Sequence, residues 1–160
     1  MDVYNAEELA RAYGQRVYRF AYARLGNRAD AEDVTQETFL RLCRAAPDFP
    51  DEPRARAWLF QVAANCAADL RRAPWRRREV SVEQMPEGEE AAPEPSGVLE
   101  LVLSLPAKYR SVIHLYYYED ASVAQIAQIL SISQGAVKSH LHRGRELLEA
   151  RLREEEANYD

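Results

Sequence analysis

The sequence predicts an all-α protein of two small helical domains joined by a flexible acidic linker, and three observations carry that reading. Apolar residues recur at spacings of three and four through both halves, while alternating β-branched runs are missing. Between Met85 and Ser96, three prolines and four glutamates leave nothing periodic to bury. A chain of 160 residues, 47% of them hydrophobic, has room for one ordinary domain or two small ones. The expected boundaries are a first domain at 1–75, the linker at 76–97, a second domain at 98–153 and an acidic tail at 154–160.

The first domain reads as three successive helices. Asn5 to Leu25 places Leu9, Tyr13, Val17 and Phe20 along one face, with Gly26 and Asn27 as its stop. Asp30 is the expected cap of a second helix, Ala31 to Ala46, whose first turn carries Glu32 and Asp33 where the helix dipole favours negative charge. Its inward stripe is Ala31, Val34, Thr38, Leu42 and Ala45, while Asp33, Gln36, Glu37, Leu40 and Arg44 point away. A leucine among outward acids marks a candidate docking surface for a protein. Pro47, Pro50 and Pro53 then predict a loop, and a third helix is expected from about Arg54 to Arg72, ending before Pro74. That helix turns Leu59, Val62, Ala63, Cys66 and Leu70 inward. Beside them runs a stripe of Trp58, Gln61, Asn65, Asp69 and Arg72, which combines a stacking ring, amides and a cation in the mixture suited to single-stranded bases. A core tryptophan with a capping amide would give the same stripe.

In the second domain the spacing becomes specific from Val123 onward. Val123, Ile126, Ala127 and Leu130 share one face of a short helix, Ser131-Ile132-Ser133 interrupts it, and Val137, Leu141 and Leu148 line a second helix. This is the helix-turn-helix pattern. Ala127 permits the close helix crossing, Ile132 is expected to plug the turn into the core, and Ser133 to cap the helix that follows. Ser131 holds the turn without a residue that prefers the left-handed conformation. On a helical wheel Lys138, Ser139, His142 and Arg143 fall opposite the apolar stripe, with Gln134 and Arg145 at the margin. From Ser133 to Arg145 there is no carboxylate, so these side chains offer donors to phosphates and base edges.

A net charge of −5 argues against a nucleic-acid partner, but the local distribution reverses the argument. The window Arg71 to Arg78 also escapes the acid, with five arginines and no carboxylate. No apolar run approaches the length of a membrane span and the N-terminus has no signal pattern, so a cytoplasmic protein without a membrane span is expected. Two cysteines, Cys43 and Cys66, give no disulfide framework and no zinc site. No cofactor, metal or catalytic site is expected either. His140 and His142 lie about 200° apart on a helix and do not converge on a metal with His114, and no phosphate loop or nucleophile motif occurs.

Three motif stretches, distributed in a fixed order over the two helical blocks, narrow the function. Asp30-Ala31-Glu32-Asp33-Val34-Thr35-Gln36-Glu37-Thr38-Phe39, Ala57-Trp58-Leu59-Phe60-Gln61-Val62-Ala63-Ala64-Asn65 with Asp69 and Arg72, and Leu105-Pro106 through Arg145 resemble the extracytoplasmic-function class of bacterial RNA polymerase sigma factors over nearly the full chain. The resemblance implies that the first domain is sigma region 2, a bundle of three to four helices, and the second is the region 4 helix-turn-helix. It implies that Asp33, Gln36, Glu37 and Leu40 dock on core RNA polymerase. Trp58, Gln61, Asn65 and Arg72 would serve the minus-ten promoter element, and Ser133, Gln134, Lys138, Ser139, His142, Arg143 and Arg145 the minus-thirty-five element. An anti-sigma factor is a further expected partner. His140, Gln125 and Gly144 depart from the usual arginine, glutamate and alanine at their positions. A stand-alone helix-turn-helix regulator is the alternative, although the N-terminal block lacks the strand pattern of a receiver domain.

Overall fold

The computed structural model describes residues 5–45, 47–72 and 97–159. The expected linker lies outside them apart from Gly97, and so does Ala46. Among the described residues every regular element is helical. The chain forms two compact units, Met1–Glu89 and Glu90–Asp160.

In the N-terminal unit α1 (Ala6–Leu25), α2 (Arg28–Ala45) and α3 (Glu52–Arg72) pack mutually. The side chain of Asn5 accepts from the Glu8 N–H to start α1, and Gly26 ends it in the left-handed region at φ 79°. Leu9, Tyr13, Val17 and Phe20 are buried as the wheel predicts, and Phe20 meets Phe60 edge-on at 5.6 Å. Tyr13 donates to Glu52 at 2.5 Å and fastens α1 to the first turn of α3. Burial and this carboxylate together push the Tyr13 hydroxyl up to about 12.

Several boundaries differ from expectation. α2 is capped by Asn27, not Asp30: Asn27 Oδ1 accepts the Asp30 N–H and Asn27 Nδ2 donates to the Asp30 carboxylate, each at 2.8 Å. Asp30 is thus the third helical residue of a reciprocal cap, and it is buried. Likewise Asp51 accepts from the Arg54 N–H at 2.9 Å, so α3 begins at Glu52 and Pro53 sits within its first turn, where a missing N–H breaks no helical bond. Ala45, at the end of α2, is exposed, and Val62 and Leu70 are only half-buried, while Phe60 and Ala67 are enclosed.

The C-terminal unit consists of α4 (Gly97–Leu103), α5 (Ala107–Ile113), a π-helical turn (His114–Tyr118), α6 (Val123–Leu130) and α7 (Gln134–Tyr159). All three short helices pack on α7. Arg110 donates to the carbonyls of Leu103 and Leu105 and closes the end of α4. Ser122 and Gln125 form a reciprocal capping box at the start of α6, so the glutamine at 125 performs the task of the usual glutamate. Ser131 supplies the left-handed residue of the turn at φ 59°, and Ser133 Oγ accepts from the Ala136 N–H at 3.0 Å to cap α7. Ile126 and Ile129 form the buried pair of α6, whereas Leu130 and Ile132 are half-buried. Leu130 therefore gives its expected core place to Ile129, and Ile132 closes the turn without being enclosed. Residues 154–159 continue α7 rather than leaving it as a separate tail.

Candidate protein and nucleic-acid interfaces

α2 and α3 enclose between them a groove of about 440 Å³ lined by Asp33, Gln36, Glu37, Leu40 and Arg41 from α2 and by Cys66, Asp69 and Leu70 from α3. The four residues expected to dock on a protein thus share one concavity. Leu40 is 48% exposed at the lip of this groove. Around it the charges are mixed. Glu37 accepts from Arg41 Nε at 2.9 Å, with Arg44 at 3.9 Å. Burial pushes the Cys66 thiol up, so this groove wall presents a neutral sulfur. Arg41 escaped the sequence reading because an Arg four residues after a Glu reads as an ordinary helix-surface pair.

The stripe on α3 keeps its register, but not all of it reaches the surface. Trp58 is half-buried with its ring edge-on to Phe49 at 5.9 Å, Gln61 is half-buried and Asn65 is exposed. The side chain of Arg72 lies outside the described residues. Phe49, in the loop before α3, joins Trp58 in an aromatic corner.

On α7 the expected DNA face is exposed: Gln134, Lys138, Ser139, His142 and Arg143 all face solvent. Ser133 is exposed too, although its Oγ is engaged as the helix cap. Two particulars correct the sequence reading. The acid-free window stops one residue short of Glu146, whose carboxylate reaches back to Arg143 at 3.2 Å and His142 at 3.3 Å. Exposed pairs of this kind are worth about 0 to 1 kcal/mol, so a phosphate displaces them readily. Arg145, expected at the margin, is held by Tyr117: Arg145 Nε donates to the Tyr117 hydroxyl at 2.7 Å and the guanidinium lies over the rings of Tyr116 and Tyr117. It is part of an aromatic cluster as much as of the DNA face.

That cluster rims a second groove, about 370 Å³, formed by Val102, Ile113, Tyr117, Tyr118, Leu148 and Leu152 with Arg145 and Glu149. Tyr117, Tyr118 and Leu152 are 56%, 60% and 41% exposed, which makes this an exposed apolar surface of the C-terminal unit. The sequence reading missed it. Its only sequence signal is the run Tyr116-Tyr117-Tyr118, and three consecutive aromatics cannot all turn inward on a helix; the π-helical turn is where they splay.

The family model of Sigma-70 region 2 matches residues 9–77 and that of Sigma-70 region 4 matches residues 97–148. The chain is 34% identical over 157 residues to ECF RNA polymerase sigma factor SigE of Mycolicibacterium smegmatis; the match takes in 89% of the chain, which spans 59% of that protein's length. It is 42% identical over 135 residues to ECF RNA polymerase sigma factor SigL of Mycobacterium tuberculosis, with 79% of this chain and 76% of that protein covered. Among solved structures, CnrH in complex with the cytosolic domain of CnrY is similar at a TM-score of 0.64 and 29% identity, over 92% of this chain and 86% of that one. The region 2 match to the N-terminal block overturns the alternative of a stand-alone helix-turn-helix regulator.

Proposed function

Because the chain belongs to the extracytoplasmic-function RNA polymerase sigma factors, we propose that it binds core RNA polymerase through the α2–α3 groove and directs it to promoters through two separate DNA-reading surfaces. It acts as a transcription initiation factor in the cytoplasm, not as a catalyst. The observation that carries the docking assignment is the convergence of Asp33, Gln36, Glu37 and Leu40 on one groove with an exposed leucine at its lip. Desolvating such a spot rewards an apolar partner surface while the charges around it fix the register.

The exposed face of α7 supports reading of the upstream duplex, since an α-helix fits the major groove and Gln134, Lys138, Ser139 and Arg143 carry donors for base edges and phosphates. Trp58, Gln61 and Asn65, with Arg72 beyond them, are assigned to the opened downstream strand, where faces are available for stacking and edges for an amide. An anti-sigma factor is proposed as a further protein partner, and the similar protein CnrH is itself found in complex with a protein, the cytosolic domain of CnrY.

The test is reconstitution. Core polymerase supplied with this chain should initiate from a defined promoter set, identified by sequencing the transcripts, and the Asp33→Lys, Glu37→Lys double variant should lose both core binding and initiation with its helicity intact. Undiminished core binding by that variant would remove the docking assignment.

A further inference from the structure

Docking through the α2–α3 groove looks at first like selection of a basic partner by acids. The geometry is less one-sided. Glu37 already has its counter-charge inside α2, at 2.9 Å from Arg41 and 3.9 Å from Arg44. Arg41 spends only Nε on that bond, and its two terminal nitrogens make no hydrogen bond among the described residues. The side chain stays 42% exposed and lines the groove beside Leu40, Asp69 and Leu70. Glu37 takes Nε alone, so the four terminal N–H donors stay unused by hydrogen bonds among the described residues, with the Asp69 carboxylate adding a second negative field at the guanidinium.

A partner that covers Leu40 also takes water from those donors. Buried unpaired donors on a cation are among the most costly polar groups to leave unsatisfied, so a partner that brings an acceptor to them is favoured over one that does not.

We propose that Arg41 is a partner-contacting residue of the groove, which takes a polymerase segment carrying a carboxylate or free carbonyl acceptor for Arg41 beside the cation that Asp33 selects. The proposal rests on the reading of the groove as the polymerase-docking surface, and it makes recognition depend on both signs of charge.

The experiment is a double-mutant comparison on the full chain, labelled with a fluorophore and titrated with core polymerase by anisotropy, with thermal melts as a folding control. Arg41→Ala and Arg41→Lys are made in the native background and in Glu37→Gln. A direct contact predicts that Arg41→Ala weakens core binding about tenfold in both backgrounds, the size of one charge-assisted hydrogen bond, and that lysine recovers part of it. If Arg41→Ala has no effect once Glu37 is glutamine, Arg41 acts only through Glu37 and the proposal is overturned. Leu40→Asp separates the two levels. Loss of binding in Leu40→Asp with none in Arg41→Ala removes the Arg41 contact alone, whereas unchanged binding in Leu40→Asp removes the docking groove itself.

Discussion

His140, where the family resemblance implies an arginine, is a half-buried imidazole. The ring packs edge-on against Tyr109 at 5.7 Å, and its Nδ1 is buried without a hydrogen-bond partner. Burial first, and then the Lys108 ammonium, hold its basicity below the ordinary value of 6.5. The folded state prefers the neutral ring, so this contribution is intact above 6.5 and is lost as pH falls through the lower folded value. Acidification from about pH 8 to about pH 5 should therefore weaken the C-terminal unit, and His140→Gln should flatten that part of the pH dependence. Urea titrations of both proteins across this range check it; an unchanged slope would show that other groups govern acid sensitivity. At Gly144, where the family resemblance implies an alanine, the helix packs closely on its neighbours. A Cβ there would stand 2.8 Å from Ile113 Cδ1 and 3.4 Å from Tyr109 Cβ. Alanine gains about 1 kcal/mol of helix propensity and needs only the end of Ile113 to turn, so Gly144→Ala should change stability little. Gly144→Val adds methyls where the neighbours cannot yield, and unfolding measurements should show it destabilised by about 1 to 3 kcal/mol.

At the scale of the helix ends, Ser131 pays for the turn between α6 and α7 with a left-handed backbone at φ 59° and ψ 45°. Its side chain makes no hydrogen bond among the described residues, so Ser131→Gly should stabilise the C-terminal unit by about 1 kcal/mol, seen as a higher urea midpoint. An unchanged or lower midpoint would mean that the serine makes up the backbone strain in some other way. Helices and their faces are legible in the sequence because 3.6-residue periodicity and caps are local: Gly26 and Ser133 act as expected, while Asn5, expected inside α1, caps it. The start of α2 was misread because Asn27 and Asp30 are both good capping residues three apart, and the reciprocal cap uses the two at once. The candidate DNA face was legible as a face, but the state of its members was not. Arg145 is held by Tyr117, 28 residues away in the chain, and no periodicity reports such a partner. Glu146 lay one residue beyond the window that looked free of acid. The apolar groove around Leu148 and Leu152 depends on the π-helical turn, which has no signature in spacing.

For the molecule as a whole, the proposed function divides promoter recognition between two compact units, Met1–Glu89 and Glu90–Asp160. Arg143 sits on the exposed face of α7, and among the described residues its ion pair is with Glu146. Asn65 sits on α3 of the other unit, exposed and in line with the half-buried Trp58. A good base contact in the major groove is worth about 1 to 3 kcal/mol, so Arg143→Ala should weaken binding of the upstream duplex by about tenfold or more. Because Arg143 must release Glu146 to reach DNA, Glu146→Gln should leave upstream binding equal or slightly stronger. Asn65→Ala should spare duplex binding and slow strand opening, since its amide meets a base edge only once the strand is unpaired. A permanganate footprint on a promoter carrying a pre-melted downstream bubble separates the two defects, because the bubble supplies in advance what Asn65 assists and nothing of what Arg143 reads. Rescue of Asn65→Ala alone is the expected outcome. If the bubble instead rescues Arg143→Ala and leaves Asn65→Ala defective, the opening and duplex-reading roles have been assigned to the wrong units.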